Sequence, residues 1–382
     1  MRDPRLDKLA NVLVHYSTQI QPGQLVRISG EPVATPAIEA VYETVLKAGA
    51  HPIVRCAPES LQELFFKHAS DEQLKYVSPI AKYEIETVDV TIGFWAETNT
   101  KGLSRIDPAR QGMASAARKP LFDVFMNRAA SGALKWTGTL YPTAASAQDA
   151  EMSLADYEEF VLNAGLLHLD DPIAGWQQVE KQQAAAKDYL ENVSELRFQA
   201  ANGTDLRVNV EGMKWINCCG RENFPDGEVF TGPNLNAADG GVNGTVRYSF
   251  PAVHGGREVH EVELTFEKGK VVDFKAGKGE DFLKAMLDQD EGARYMGEIA
   301  IGTNYNITEY TKNTLFDEKI GGTFHAAVGS GYPETGNHNS SGLHWDMVCD
   351  IRPDAGGGEI TADGETIMKD GRFIKDGWPG PA

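Results

Sequence analysis

The sequence predicts an α/β N-terminal domain with a mainly parallel sheet, joined to an α+β C-terminal domain with a largely antiparallel or mixed sheet. Three observations carry this expectation. The 382 residues exceed what one hydrophobic core usually serves. The first half alternates helical and extended patterns, and the second half is punctuated by hairpin signals. The expected domains are 1–190 and 191–382.

In the first half, Leu6, Leu9 and Leu13 keep helical spacing, Pro22-Gly23 interrupts, and LVRIS follows as a short strand. Ile38, Val41 and Val45 mark a second helix that stops at Gly49, before the extended PIVRC that ends at Cys56. VDVTIGFW and ALKWTGTLYPT continue the alternation, with the helical DPARQGMASAARKPLFDVFMNRAA between them. Strands separated by helices imply a parallel sheet covered on both faces. The stretch from Ser153 to Leu190 reads as helical and as a linker between the halves. Beyond it, hairpins are expected around Asn202-Gly203 and Lys268-Gly269, one clear helix over Gly279 to Tyr295, and a glycine-rich turn at Gly356 to Gly358.

Composition narrows the function. Lys and Arg number 36 against 55 Asp and Glu, a formal charge of −19, and no basic run occurs, so a nucleic-acid partner is not expected. No apolar stretch approaches the ~18 residues of a membrane span, and the charged start MRDPRLDKLANVL lacks a signal-peptide core. A cytoplasmic protein without a membrane partner is the expectation. Cys56, Cys218, Cys219 and Cys349 form no C-x-x-C pair and are expected as reduced, buried thiols.

Several catalytic signatures fail. Gly30 opens GEPVATP after the first strand, which is not the G-x-G-x-x-G of a dinucleotide site. His260-Glu261 lacks the second histidine of H-E-x-x-H, and HNSSG at His338 lacks the first glycine of G-x-S-x-G. The glycine pair after His254 is most simply a turn, and no P-loop occurs.

The remaining candidates lie from Glu228 onward. His344 and Asp346 sit two apart in the β-rich LHWDMVCDI and so project from one face, as a hydrogen-bonded pair or as two metal ligands. His325 lies among apolar and small residues, where an imidazole needs a partner. Tyr332 follows a Gly-Ser-Gly turn that could return its phenol toward that imidazole. Glu228 follows the turn Pro225-Asp226-Gly227, where a surface glutamate is the ordinary expectation; Glu298 opens an apolar run, which is unusual for glutamate unless paired or ligating. Oxygen and nitrogen donors without thiolate suit Zn, Co, Mn or Fe. Five protein ligands exceed what one catalytic ion normally takes, so a two-metal hydrolytic site is the economical expectation.

At these residues the sequence resembles the aminopeptidase T and aminopeptidase S type of thermophilic metallopeptidases, in NFPDGEVFTGP, GARYMGEIAIGTN, NTLFDEKIGGTFHAAVGSGYP and SSGLHWDMV. The resemblance implies two divalent ions held by Glu228, Glu298, His325, His344 and Asp346, with Tyr332 as the catalytic tyrosine. It also implies a homodimer and a peptide substrate cut at its N-terminus. Glu298 is the preferred carboxylate for relaying a proton to the leaving amine. The alternative is a mononuclear Fe(II) dioxygenase of the 2,5-dihydroxypyridine type, which looks like an offshoot of this fold and acts on a small molecule; His325, His344 and Asp346 would suffice for its iron. Both Glu228 and Glu298 favour the two-metal reading, because one iron has no need of them.

Overall fold

The computed structural model describes residues 2–381. The chain divides into two compact units, one of residues 1–173 and 220–225, the other of 174–219 and 226–382.

The first unit is built on a five-stranded parallel sheet, in the order His51–Cys56, Leu25–Gly30, Val90–Trp95, Lys135–Leu140, Asn223–Phe224. The two central strands bury Val26, Ile28, Val90 and Ile92 completely, as strands covered on both faces must. Helix Pro4–Asn11 starts on an Asp3 cap and continues as a π-helical turn through Ser17. Helix Thr35–Lys47 follows the first strand, and Pro108–Ala130 joins the third to the fourth. Three short helices, Ser60–His68, Asp71–Lys75 and Pro79–Thr87, fill the interval between the second and third strands, which the sequence pattern did not separate. Cys56 lies exposed on the edge strand, against the expectation of a buried thiol, because the edge of the sheet leaves the end of that strand uncovered. All four cysteines are free.

The second unit carries an eight-stranded sheet, a five-stranded sheet and a small hairpin. Both expected hairpins are present, Glu195–Ala200 with Asp205–Asn209 and Glu263–Glu267 with Lys270–Lys275. The glycines after His254 are the turn of a third, with φ of +57° and +75°. The helix expected over Gly279 to Tyr295 ends at Leu287. Beyond it Asp290 accepts hydrogen bonds from Gly292 N and Gly342 N, and Gly292 passes so close to the Ser340 carbonyl that a Cβ would stand 2.1 Å from it. Helical pattern therefore yields to a loop that must touch another. Among the described residues no helix is long and apolar enough to cross a membrane.

The five-stranded sheet positions the site. Its order is His344–Asp350, Thr323–Gly329, Met296–Gly302, Glu228–Thr231, Ile216–Cys218, with every neighbouring pair antiparallel. One face is core: Val229, Ile299, Ile301, Phe324, Ala326, Val328, Trp345, Met347 and Cys349 join a single buried cluster. Strand alternation then commits Glu228, Glu298, His325, His344 and Asp346 to the opposite face.

Candidate metal centre

The ladder brings these five residues together by register. His325 pairs with Ala300 on one side and Val348 on the other, Ala327 stands between Glu298 and Asp346, Gly329 faces His344, and Gly302 faces Glu228. The residues interposed on that face, Ala300, Gly302, Ala327 and Gly329, are small. Each long polar side chain therefore has space to lean toward its neighbours.

The distances converge on the two imidazole Nε2 atoms. His325 Nε2 lies 3.2 Å from Glu298 Oε1, 3.4 Å from Glu228 Oε2 and 3.9 Å from Asp346 Oδ1. His344 Nε2 lies 3.3 Å from Glu298 Oε2 and 3.4 Å from Asp346 Oδ1. Glu298 thus sends one oxygen to each histidine. Glu228 and Glu298 are buried, so the surface position expected for Glu228 does not hold; the strand that Glu228 opens has a neighbour on both sides.

The second ring nitrogens are occupied. His325 Nδ1 stands 3.0 Å from the Glu318 carbonyl and His344 Nδ1 stands 2.8 Å from the Ser330 carbonyl. A carbonyl can only accept, so each Nδ1 carries hydrogen and donates it. That leaves Nε2 aimed at the carboxylates, the tautomer and orientation of a metal-ligating histidine. Glu228 Oε2 and Asp346 Oδ1 have no hydrogen-bond partner among the described residues, although both are buried atoms. Buried carboxylate oxygens without partners, facing imidazoles whose other nitrogens are fixed, fit a divalent cation. Glu228, Glu298 and His325 form one group with ligand atoms within 4.8 Å of one another, and Glu298, His344 and Asp346 form a second.

Electrostatics agree. Burial pulls the His325 pKa down, but the hydrogen bond to Glu298 and the charges of Glu228, Glu298 and Asp346 outweigh it and push it up to about 10. His344 rises to about 12 because Asp346 and Glu298 overcome the same burial. Burial raises Glu228 to about 8, with Lys319 opposing, whereas His344 holds Asp346 below its ordinary value against burial. The cluster is starved of positive charge: without metal, protons supply it.

Tyr332 packs its ring on His344, with centroids 5.2 Å apart in an edge geometry, and on Phe230 at the same distance. The expected approach to His325 is therefore replaced by one to His344, since the turn after Gly329 runs back beside the start of the His344 strand, with Ser330 N donating to the Leu343 carbonyl. Burial and the surrounding carboxylates raise the phenol's pKa, so it stays protonated and is a donor.

Sequence reasoning missed three residues. Lys319 is fully buried, with Nζ 3.6 Å from Glu228 Oε1, and it pairs with the Glu318 carboxylate. Glu318 forms a further group with His325 and Asp346. The run Asp317-Glu318-Lys319 reads as solvated, and only its position directly before the apolar IGGTF hinted otherwise. Gln183, also fully buried, donates to the carbonyls of Cys218 and Glu228, both at 2.9 Å, and accepts from the Thr303 hydroxyl at 2.8 Å. Its signal was available: it lies on the helical stripe of Trp176, Ala186 and Leu190, the wrong place for an unpartnered amide.

The chain is similar to known metallopeptidases over nearly its whole length. The thermophilic metalloprotease (M29) family matches residues 2–373. Aminopeptidase 2 of Geobacillus stearothermophilus is 30% identical, over 87% of this chain and 84% of that protein. The structure of wild-type AmpT from Thermus thermophilus superposes with a TM-score of 0.82 at 25% identity, covering 97% of this chain and 99% of that one. The 2,5-dihydroxypyridine dioxygenase of Pseudomonas putida KT2440 reaches a TM-score of 0.60 at 12% identity over 97% and 98%, a likeness of fold alone. The chain belongs to the thermophilic metalloprotease (M29) family and is a divalent-metal hydrolase.

Proposed function

We propose that this chain is an aminopeptidase that removes N-terminal residues from peptides at a two-ion centre. The observation that carries the reading is Glu298, whose two oxygens face different histidines and so join two ligand groups through one carboxylate. In this reading Glu228, His325 and Glu298 hold one ion, and Glu298, His344 and Asp346 hold the other. Zn, Co and Mn suit these donors. When bound, the ions supply a water acidic enough to attack at neutral pH and positive charge for the scissile carbonyl.

The chain's own residues do the rest. The carbonyls of Glu318 and Ser330 keep both imidazoles oriented through their Nδ1–H groups. Tyr332, half-exposed beside His344, directs its phenol O–H at the oxyanion that develops during attack. Glu298 is the carboxylate shared by both groups and is assigned the relay of a proton to the leaving amine. A dioxygenase needing two histidines and one aspartate would leave Glu228 and Glu298 without a task, which weighs against it.

A homodimer suits the large exposed side chains of the first unit, with Ile80 at 71% and Tyr83 at 70% exposure. Four free cysteines suit a reducing, cytoplasmic setting. The test is metal counting on purified protein together with aminoacyl-anilide hydrolysis. Two ions per chain and chelator-sensitive hydrolysis are expected; one iron with oxygen uptake would refute the reading.

A further inference from the structure

We propose that Asn337 is a positioning residue: its buried amide pins the loop of Tyr332 to the strands of Glu228 and Glu298, and so sets where the phenol O–H points. The inference rests on the assignment of Tyr332 as the oxyanion donor above.

Tyr332 needs such a support. Its ring is 39% exposed, and its packing partners Phe230 and His344 each meet it at 5.2 Å between centroids. The direction of the O–H therefore depends on the backbone that carries the ring. That backbone is tied to Asn337 on both sides of the tyrosine. Before it, Gly331 lies so close that a Cβ there would stand 2.2 Å from Asn337 Oδ1. After it, the Thr335 hydroxyl donates to the Tyr332 carbonyl at 2.7 Å and accepts from Asn337 N at 3.3 Å.

Asn337 in turn is anchored to the sheet. It is 3% exposed, and its Nδ2 donates to the Pro233 carbonyl at 3.2 Å and to the Met296 carbonyl at 3.4 Å, while Oδ1 accepts from Asn339 N at 2.9 Å. Pro233 lies just beyond the strand that Glu228 opens, and Met296 begins the strand of Glu298. Gly232 makes the room, since a Cβ there would stand 2.3 Å from Asn337 Cβ. One amide thus joins the tyrosine's loop to the two strands that bring Glu228 and Glu298 to the site. A buried amide engaged through both its nitrogen and its oxygen holds its place, because losing those bonds would strand buried polar groups.

The experiment is a double-mutant cycle on metal-loaded protein, reading turnover of an aminoacyl-anilide at saturation together with bound metal. N337A should keep the wild-type metal content and lose about tenfold or more in turnover, as an error near ~1 Å in a reacting geometry does. In the Y332F background the same substitution should cost less than about twofold, since the group it positions is already gone. A residue that merely supports the fold would cost the same in both backgrounds. Wild-type turnover in N337A, an equal loss in both backgrounds, or loss of metal would overturn the proposal. Should N337A fail to fold, T335V removes only the hydroxyl that links Tyr332 to Asn337 and is judged by the same outcomes. Y332F with wild-type turnover would instead sink the Tyr332 assignment itself, and the inference with it.

Discussion

Glu298 and His325 stand 27 positions apart in the chain, yet Oε1 of the one lies 3.2 Å from Nε2 of the other. The contact crosses adjacent antiparallel strands just beyond a register shift between Met296 and Glu298. That shift sets which residue of the strand faces the imidazole. Replacing Glu298 with Gln keeps the shape and removes the charge shared by both ligand groups. Metal content should fall from two ions to one or none, and hydrolysis should drop at least about a hundredfold. Wild-type metal content in E298Q would remove Glu298 from the ligand set.

Tyr332→Phe isolates the phenol O–H. The ring keeps its contacts with His344 and Phe230, so metal binding should be unchanged. Turnover should fall on the order of a hundredfold or more, equivalent to ~3 kcal/mol, as when a single oxyanion donor is removed. Unaltered turnover under saturating substrate would show that the oxyanion is stabilised elsewhere.

Metal affinity should rise with pH. In the metal-free protein His325 holds its proton up to about pH 10 and His344 up to about pH 12, so each ion must expel a proton on entering. The apparent affinity should tighten about tenfold per pH unit for each proton displaced, which titrations at pH 6, 7 and 8 would measure. Stability of the metal-free protein runs the other way. A raised histidine pKa contributes stability that is complete below its unfolded value near 6.5 and is lost as pH climbs through the folded value. Melting temperatures of metal-free protein should therefore fall between pH 7 and 10, and a rise over that interval would contradict the arrangement.

Gly297→Ala tests the support of His344 without touching a ligand. A Cβ at Gly297 would stand 2.2 Å from the Ser330 carbonyl oxygen, the atom that accepts from His344 Nδ1. Displacing that carbonyl should turn the imidazole and weaken metal binding by roughly ten- to a hundredfold, as when an outer partner of a metal ligand is lost. Dialysis that finds wild-type affinity in a folded G297A protein would show that the Ser330 contact does not orient the ring.

The two-part architecture was legible because its signals are local. Strand–helix alternation from Leu6 to Leu140 needs only hydrophobic period and glycine or proline stops, and the hairpins at Asn202-Gly203 and Lys268-Gly269 need only their turn residues. The helix after Gly279 failed at its end for the opposite reason. Nothing in its spacing reveals that Gly292 must lie against Ser340, 48 positions later.

The sequence by itself determined the elements and supplied the donor types: two histidines and three carboxylates set in apolar or glycine-flanked runs. Side-chain alternation also determined that His344 and Asp346 share a face. Only the tertiary structure decided that Glu228 is buried, that Glu298 reaches both imidazoles, that Tyr332 meets His344, and that the Lys319 ammonium stands beside Glu228. The physical reason is register. Which residues face one another across five strands depends on ladder pairing and a bulge between segments far apart in the chain.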